Sequence, residues 1–187
     1  RITRFNPELF RTQFACEVKD FNAADFLDKG DIRKTDLFNQ YALAAAGQAI
    51  KESGFDMEKI NPLDVGVIIG SGQGGMQTFE DQVKEYAANN FNPRFSPFFV
   101  TKLISNMAPG LLSIKYGFMG INYTTVSACS TSNTAIMDAF NYIRLGKAKI
   151  IITGGAEAPI TEASFGGFCS MKAMSIRNDD PATASRP

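Results

Sequence analysis

Two short apolar runs restrict what this chain can fold into more than any other feature. Asp64-Val-Gly-Val-Ile-Ile-Gly-Ser71 and Ala148 to Gly154 are rich in β-branched side chains and apolar without alternation. A strand wetted on one face alternates polar and apolar positions, so an unbroken run of this length suits a strand buried on both faces. Such strands belong to parallel sheets, whose crossover connections place helices on either side. Helical patterns fill the intervals. Asp36 to Ser53 sets Leu37, Tyr41, Ala44, Ala45, Gln48 and Ala49 at helical spacing and stops at Gly54. Gly75 to Asn90 reads as a polar helix, and the proline-punctuated stretch Phe91 to Pro97 as a loop leading to a helix from Phe99 to Tyr116. Asn122 to Ser127 reads as another strand. Thr131 to Leu145 brings Ala135, Ile136, Ala139, Phe140 and Ile143 onto one helical face and stops at Gly146. The expected class is α/β, a mostly parallel sheet with helices on both faces. No linker or repeat divides the chain, so one lobe over residues 1–187 is expected.

Composition narrows the function. Hydrophobic residues make up 44% and charged residues 20% of the 187, the profile of a packed globular protein. Nineteen basic residues balance nineteen acidic ones, and no basic stripe alternates with aromatics, which argues against a nucleic-acid partner. The longest apolar runs are far too short to span a bilayer, and Arg1 opens no signal-peptide pattern, so no membrane partner and a cytoplasmic location are expected. Cys16, Cys129 and Cys169 are widely separated and form no C-x-x-C pair, so neither a disulfide framework nor a metal site is expected. The chain contains no histidine, the commonest general acid and base.

Val126-Ser-Ala-Cys-Ser-Thr-Ser132 puts a cysteine in the turn between a strand and an amphipathic helix. A sharp turn of this kind lifts its central side chain clear of the sheet. Small neighbours at Ala128, Ser130 and Ser132 let a substrate approach the backbone. Unpaired N–H groups and the dipole at a helix N-terminus stabilise negative charge, which favours a thiolate there. A lone cysteine is more often a small core hydrophobe; its place in this turn makes Cys129 the candidate nucleophile. Gly70-Ser-Gly-Gln-Gly-Gly75 satisfies the G-x-G-x-x-G dinucleotide fingerprint, yet the acidic strand end due about twenty residues later falls in a proline-broken loop. Nicotinamide binding is therefore disfavoured. Glu157 ends a strand, where a paired carboxylate is a simpler reading than a general base.

Ser127-Ala-Cys-Ser-Thr-Ser132, Gly154-Gly-Ala-Glu157, Gly166-Gly-Phe168 and Ser175-Ile-Arg-Asn-Asp179 follow one another in an order that resembles the β-ketoacyl synthases. Ser96-Pro-Phe-Phe-Val100, Asn106-Met107 and Tyr116-Gly117 resemble the type II elongating members of that family. The resemblance covers essentially the whole chain. It implies a thiolase-like fold, of which residues 1–187 would be the N-terminal half of a layered α-β-α-β-α architecture, truncated at both ends. It implies a homodimer without a cofactor, in which Cys129 takes an acyl chain from acyl carrier protein and condenses it decarboxylatively with malonyl-ACP in fatty acid elongation. By position in the family pattern, Ile104 and Phe168 would line the acyl pocket, Ile104 reaching towards the partner's active site. Lys172 and Arg177 match basic positions of the carrier-docking surface and flank the Gly-Gly-Phe turn. The family also uses two histidines and a lysine from its C-terminal half, so this chain alone is not expected to catalyse condensation. The other expectation is a non-catalytic subunit like the chain-length factors, which usually lack the cysteine.

Overall fold

The computed structural model describes residues 1–56 and 58–186. They form two compact units: Asn22–Ala158, and Arg1–Phe21 together with Pro159–Pro187. At the centre of the larger unit is β1 (Val65–Gly70), flanked by β2 (Asn122–Tyr123) and β3 (Ile150–Gly155) in the order β2-β1-β3, both neighbours parallel to it. Every residue of β1 is buried, as its unbroken apolar run requires. Alternate side chains serve opposite faces. Val65, Val67 and Ile69 pack with Phe38, Ala42, Leu43, Ala46 and Ile50 of α2 (Leu37–Glu52) and with Ala108 and Leu112 of α5 (Met107–Tyr116). Ile68 packs with Ala135 and Ala139 of α6 (Thr131–Arg144). On that second face Tyr123 donates to Asp138 Oδ2 at 2.8 Å; burial, reinforced by this bond, holds its phenol well above the usual tyrosine range.

Helix ends follow local chemistry. The Asp36 carboxylate caps α2 by accepting from Phe38 N, and Gly54 adopts φ +70° just past its end. Gly117 and Gly146 take the same left-handed role after α5 and α6.

Several expectations about the larger unit are corrected. The buried residues of α2 are Phe38, Asn39, Ala42, Leu43, Ala44, Ala46 and Ile50; of the face expected through Leu37, Tyr41, Ala44, Ala45, Gln48 and Ala49 only Ala44 is buried, because the larger apolar side chains lie on the other side. The helix expected over Phe99 to Tyr116 is interrupted, giving α4 (Phe99–Leu103) and then α5. In a continuous helix the Pro109 ring would strike the Ser105 carbonyl; restarting at Met107 places Pro109 in the first turn, where no N–H is needed. The strand expected over Asn122 to Ser127 is only β2, since Thr124 and Thr125 turn their hydroxyls to the Ile69 and Thr131 carbonyls at 2.5 and 3.1 Å. On α6, Ala135 and Ala139 are buried, but Ile136, Phe140 and Ile143 remain 51%, 58% and 44% exposed. Small side chains, Thr131, Ala135 and Ala139, face β1 across this contact.

Asn39 is fully buried on α2, and neither its Nδ2 nor its Oδ1 has a hydrogen-bond partner among the described residues. A buried amide without partners costs about 1–3 kcal/mol. Leucine has nearly the same shape, so Asn39→Leu is expected to stabilise the chain by about 1–2 kcal/mol in urea unfolding. A lowered midpoint would show that the amide is satisfied in solution.

In the smaller unit, Phe5, Phe10 and Phe165 meet with ring centroids 5.1 to 6.0 Å apart. Buried Thr12 ties the two segments by donating to Ser175 O at 2.8 Å. Its helix, α7 (Glu162–Ser170), is capped by Thr161, whose hydroxyl accepts from Ser164 N. Gly166 and Gly167 lie inside α7, so the Gly-Gly-Phe turn expected from the sequence is helix; a methyl group on Gly167 would meet nothing within 4 Å.

Candidate active site

The candidate nucleophile sits where the chain leaves the carboxyl end of the sheet and enters α6. Ser127 is at φ −140°, ψ 46°, Ala128 turns left-handed at φ +50°, and a 3₁₀ turn over Ala128–Ser130 runs directly into α6. Left-handed backbone at a non-glycine residue costs about 1–2 kcal/mol, so the surrounding structure must impose it. Cys129 occupies the middle of this turn and is exposed. Thr131 holds the turn from beneath. Its hydroxyl accepts from Ser127 N at 2.9 Å and donates to Ala128 O at 2.6 Å, while its backbone N–H reaches the same carbonyl. Ser127 Oγ and Thr134 Oγ1 share a further bond of 2.6 Å.

The turn comes this close to the sheet because β1 and β3 end in glycine. A Cβ on Gly70 would lie 2.3 Å from Thr131 Cγ2, and one on Gly155 would lie 2.7 Å from Ser132 Cβ. The glycine run that mimics a dinucleotide loop is thus a packing device. Its backbone donors are also taken: the Glu157 carboxylate accepts from Gly72 N at 2.8 Å, from Gln73 N at 3.2 Å and from Ser71 Oγ at 3.1 Å. Ser71 Oγ in turn accepts from Gly74 N at 3.1 Å. A loop of this kind would cradle a phosphate; here the chain's own carboxylate fills it. Glu157 is therefore paired with backbone donors and a hydroxyl, a structural role of the kind expected.

The same loop places Ile104. Gly75 N donates to Leu103 O at 2.9 Å, and Cβ atoms on Gly74 and Gly75 would lie 2.4 and 2.2 Å from the Leu103 and Lys102 carbonyls. Ile104 follows in extended conformation, φ −71° and ψ 134°, and is 41% exposed. A Cβ on Gly72 would lie 3.7 Å from Ala128 O, so one six-residue segment touches both the Cys129 turn and the end of α4. Cys129 and Ile104 are accordingly held at the same end of the sheet, where open parallel sheets bind ligands. Sequence reasoning missed Thr131 and the closure of the loop by Glu157, and only the strand-ending glycines hinted at either.

The remaining candidates belong to the smaller unit. Phe168 is half-buried on α7, while its neighbour Phe165 makes the aromatic core. Lys172 is exposed and left-handed at φ +56°, its N–H donating to Cys169 O. Arg177 is engaged by Asp180 at 3.1 Å. Among the described residues no cluster of His, Cys, Asp and Glu could hold a metal ion, and no helix is long and apolar enough to cross a membrane.

Residues 5–187 match the family described as beta-ketoacyl synthase, N-terminal domain. The chain belongs to the β-ketoacyl synthase family. It is 43% identical over 186 residues to 3-oxoacyl-[acyl-carrier-protein] synthase 2 of Synechocystis sp., covering 100% of this chain and 44% of that protein. It is 44% identical over 187 residues to the synthase of the same name from Staphylococcus aureus, covering 100% and 46%. The chain thus spans about half the length of the curated relatives it matches. Among solved structures it is similar to a β-ketoacyl synthase from Burkholderia phymatum, with TM-score 0.83 and 24% identity over 96% of this chain and 44% of that one. It is also similar to a type II polyketide synthase acyl-carrier protein complex with its ketosynthase, with TM-score 0.76 and 26% identity over 84% of this chain and 45% of that one. The fold of this β-ketoacyl synthase chain is thiolase-like, with a parallel sheet and helices around it.

Proposed function

We propose that this chain supplies the nucleophile of a 3-oxoacyl-[acyl-carrier-protein] synthase acting in fatty acid elongation. The observation that carries the reading is Cys129, exposed in a left-handed turn at the N-terminus of a 14-residue helix and surrounded by small side chains. Its thiolate attacks the thioester carbonyl of acyl-ACP; a carbon–sulfur bond to Cys129 forms and the carrier's thiol leaves. Malonyl-ACP then loses carbon dioxide, its enolate attacks the Cys129 thioester, and the thiolate departs as the new carbon–carbon bond forms. Stabilising that enolate needs donors or positive charge at the developing oxygen, worth about 3–4 kcal/mol each. A chain without histidine does not provide the family's usual donors, so they come from the rest of the synthase.

Exposed apolar side chains on α6 support the reading of this chain as one layer of a larger molecule, because Ile136, Met137 and Phe140 form a stripe that soluble proteins cover. Residues 1–187 form the N-terminal synthase domain of that molecule. It works in the cytoplasm as a homodimer, and the exposed Phe91, Phe95, Val100 and Ile104 offer apolar area for a second copy. Phe168 lines the acyl pocket, Ile104 reaches towards the acyl pocket of the second copy, and Lys172 and Arg177 receive the acidic carrier protein, whose charge they complement. Cys129 in this turn is also what argues against a chain-length-factor-like role.

Incubation of the chain with an acyl thioester, followed by peptide mapping, tests the reading. The expected result is an acyl adduct confined to the Cys129 peptide and no 3-oxoacyl product when malonyl thioester is added. Adducts on Cys16 or Cys169 in place of Cys129 would remove the assignment, and condensation by the chain alone would overturn the division of labour.

A further inference from the structure

We propose that Thr131 is the positioning residue of the nucleophile turn, holding Ala128 left-handed so that Cys129 is presented at the head of α6. The proposal rests on the reading of Cys129 as nucleophile. The residue that needs enforcement is Ala128, at φ +50° without being glycine. Nothing intrinsic to alanine keeps it there. The hydrogen bonds around it converge on one side chain. Thr131 Oγ1 accepts from Ser127 N at 2.9 Å and donates to Ala128 O at 2.6 Å, gripping the peptide units on both sides of the turn's first residues. The Thr131 N–H donates to the same Ala128 carbonyl.

Thr131 is itself immobilised. It is buried, its carbonyl accepts from Thr125 Oγ1 at 3.1 Å, and its methyl lies 2.3 Å from where a Cβ on Gly70 would be. A residue fixed to the end of β1 therefore dictates the conformation of the residue before the thiol. Valine at this position keeps the shape but loses both hydroxyl bonds, leaving Ser127 N–H without its acceptor. Ala128 is then free to relax to right-handed backbone, which carries Cys129 off the helix N-terminus. Serine keeps both bonds and loses only the methyl.

The test is the rate of iodoacetamide alkylation of each cysteine across pH, read by peptide mapping. In the parent chain Cys129 should react faster than exposed Cys16. In Thr131→Val its rate should fall about tenfold across the pH range, as loss of an enforced left-handed residue implies. Cys16 should be unchanged. Thr131→Ser should keep the parent rate, and adding Ala128→Gly to Thr131→Val should recover much of the rate, because glycine turns left-handed unaided. That double variant also decides the matter if Thr131→Val alone unfolds, which loss of helical circular dichroism would report. A parent Cys129 no faster than Cys16 would remove the nucleophile reading and this role with it. A fast Cys129 with the same rate in Thr131→Val, or no recovery in the double variant, would overturn the positioning role alone.

Discussion

Gly70→Ala lowers the unfolding free energy by about 3 kcal/mol, at the upper end of what overpacking a buried site costs, and slows acylation of Cys129 with it. The added Cβ would lie 2.3 Å from Thr131 Cγ2, 2.9 Å from Thr131 O and 3.0 Å from Thr125 Oγ1. No neighbour is the free end of a flexible side chain. Thr131 is held by the bonds of its hydroxyl and its carbonyl, and Thr125 Oγ1 is one of those partners. The strain must therefore pass into α6 or into the Cys129 turn. Urea unfolding followed by circular dichroism reads the first effect, and Cys129 labelling reads the second. A midpoint equal to that of the parent chain would show that the sheet end and α6 are less tightly joined than these distances require.

The second large effect is expected at Asp36. This carboxylate is buried, accepts from Phe38 N at 3.3 Å to cap α2, and accepts from Thr78 N at 2.9 Å and Thr78 Oγ1 at 2.6 Å. It thereby joins the start of α2 to the first turn of α3 (Met76–Ala88). Asp36→Ala removes a helix cap worth about 1 kcal/mol and charge-assisted bonds worth about 1.5–3 kcal/mol, so a loss of about 3 kcal/mol is expected in urea unfolding. Asp36→Ser retains the cap and should recover about 1 kcal/mol of that loss. A change in Asp36→Ala below about 1 kcal/mol would mean that water replaces the carboxylate at both helices.

Both predictions turn on contacts between segments distant in the chain, and there the sequence and the structure differ in what they reveal. β1 was legible because its residues are buried on both faces, a condition written into six consecutive positions. Helix ends were legible at Gly54 and Gly146 because left-handed caps are local chemistry. The Cys129 turn was legible for the same reason, its strand, turn and helix being contiguous. The break at residues 104–106 was overlooked although Pro109 announces it, since the apolar spacing on either side runs on without interruption. The buried face of α2 was misjudged because alanines line several of its sides, and only the position of the sheet selects among them.

Glu157 shows the limit most clearly. Its partners Gly72 and Gln73 lie 85 and 84 residues earlier, and no local pattern couples them. Likewise the glycines of the 70–75 segment satisfy a nucleotide fingerprint by spacing alone. What they do depends on Thr131, Leu103 and Lys102 arriving against them.

The sequence by itself therefore determined the α/β class, the order of the elements that carry the site and the cysteine at its centre, because periodicity, caps and turns act over a few residues. Only the tertiary structure decided which faces are buried, that Glu157 closes the glycine loop, that Ile104 and Cys129 share one end of the sheet, and that Thr131 grips the turn. Those outcomes depend on close packing between remote segments, where a methyl group more or less determines what can meet.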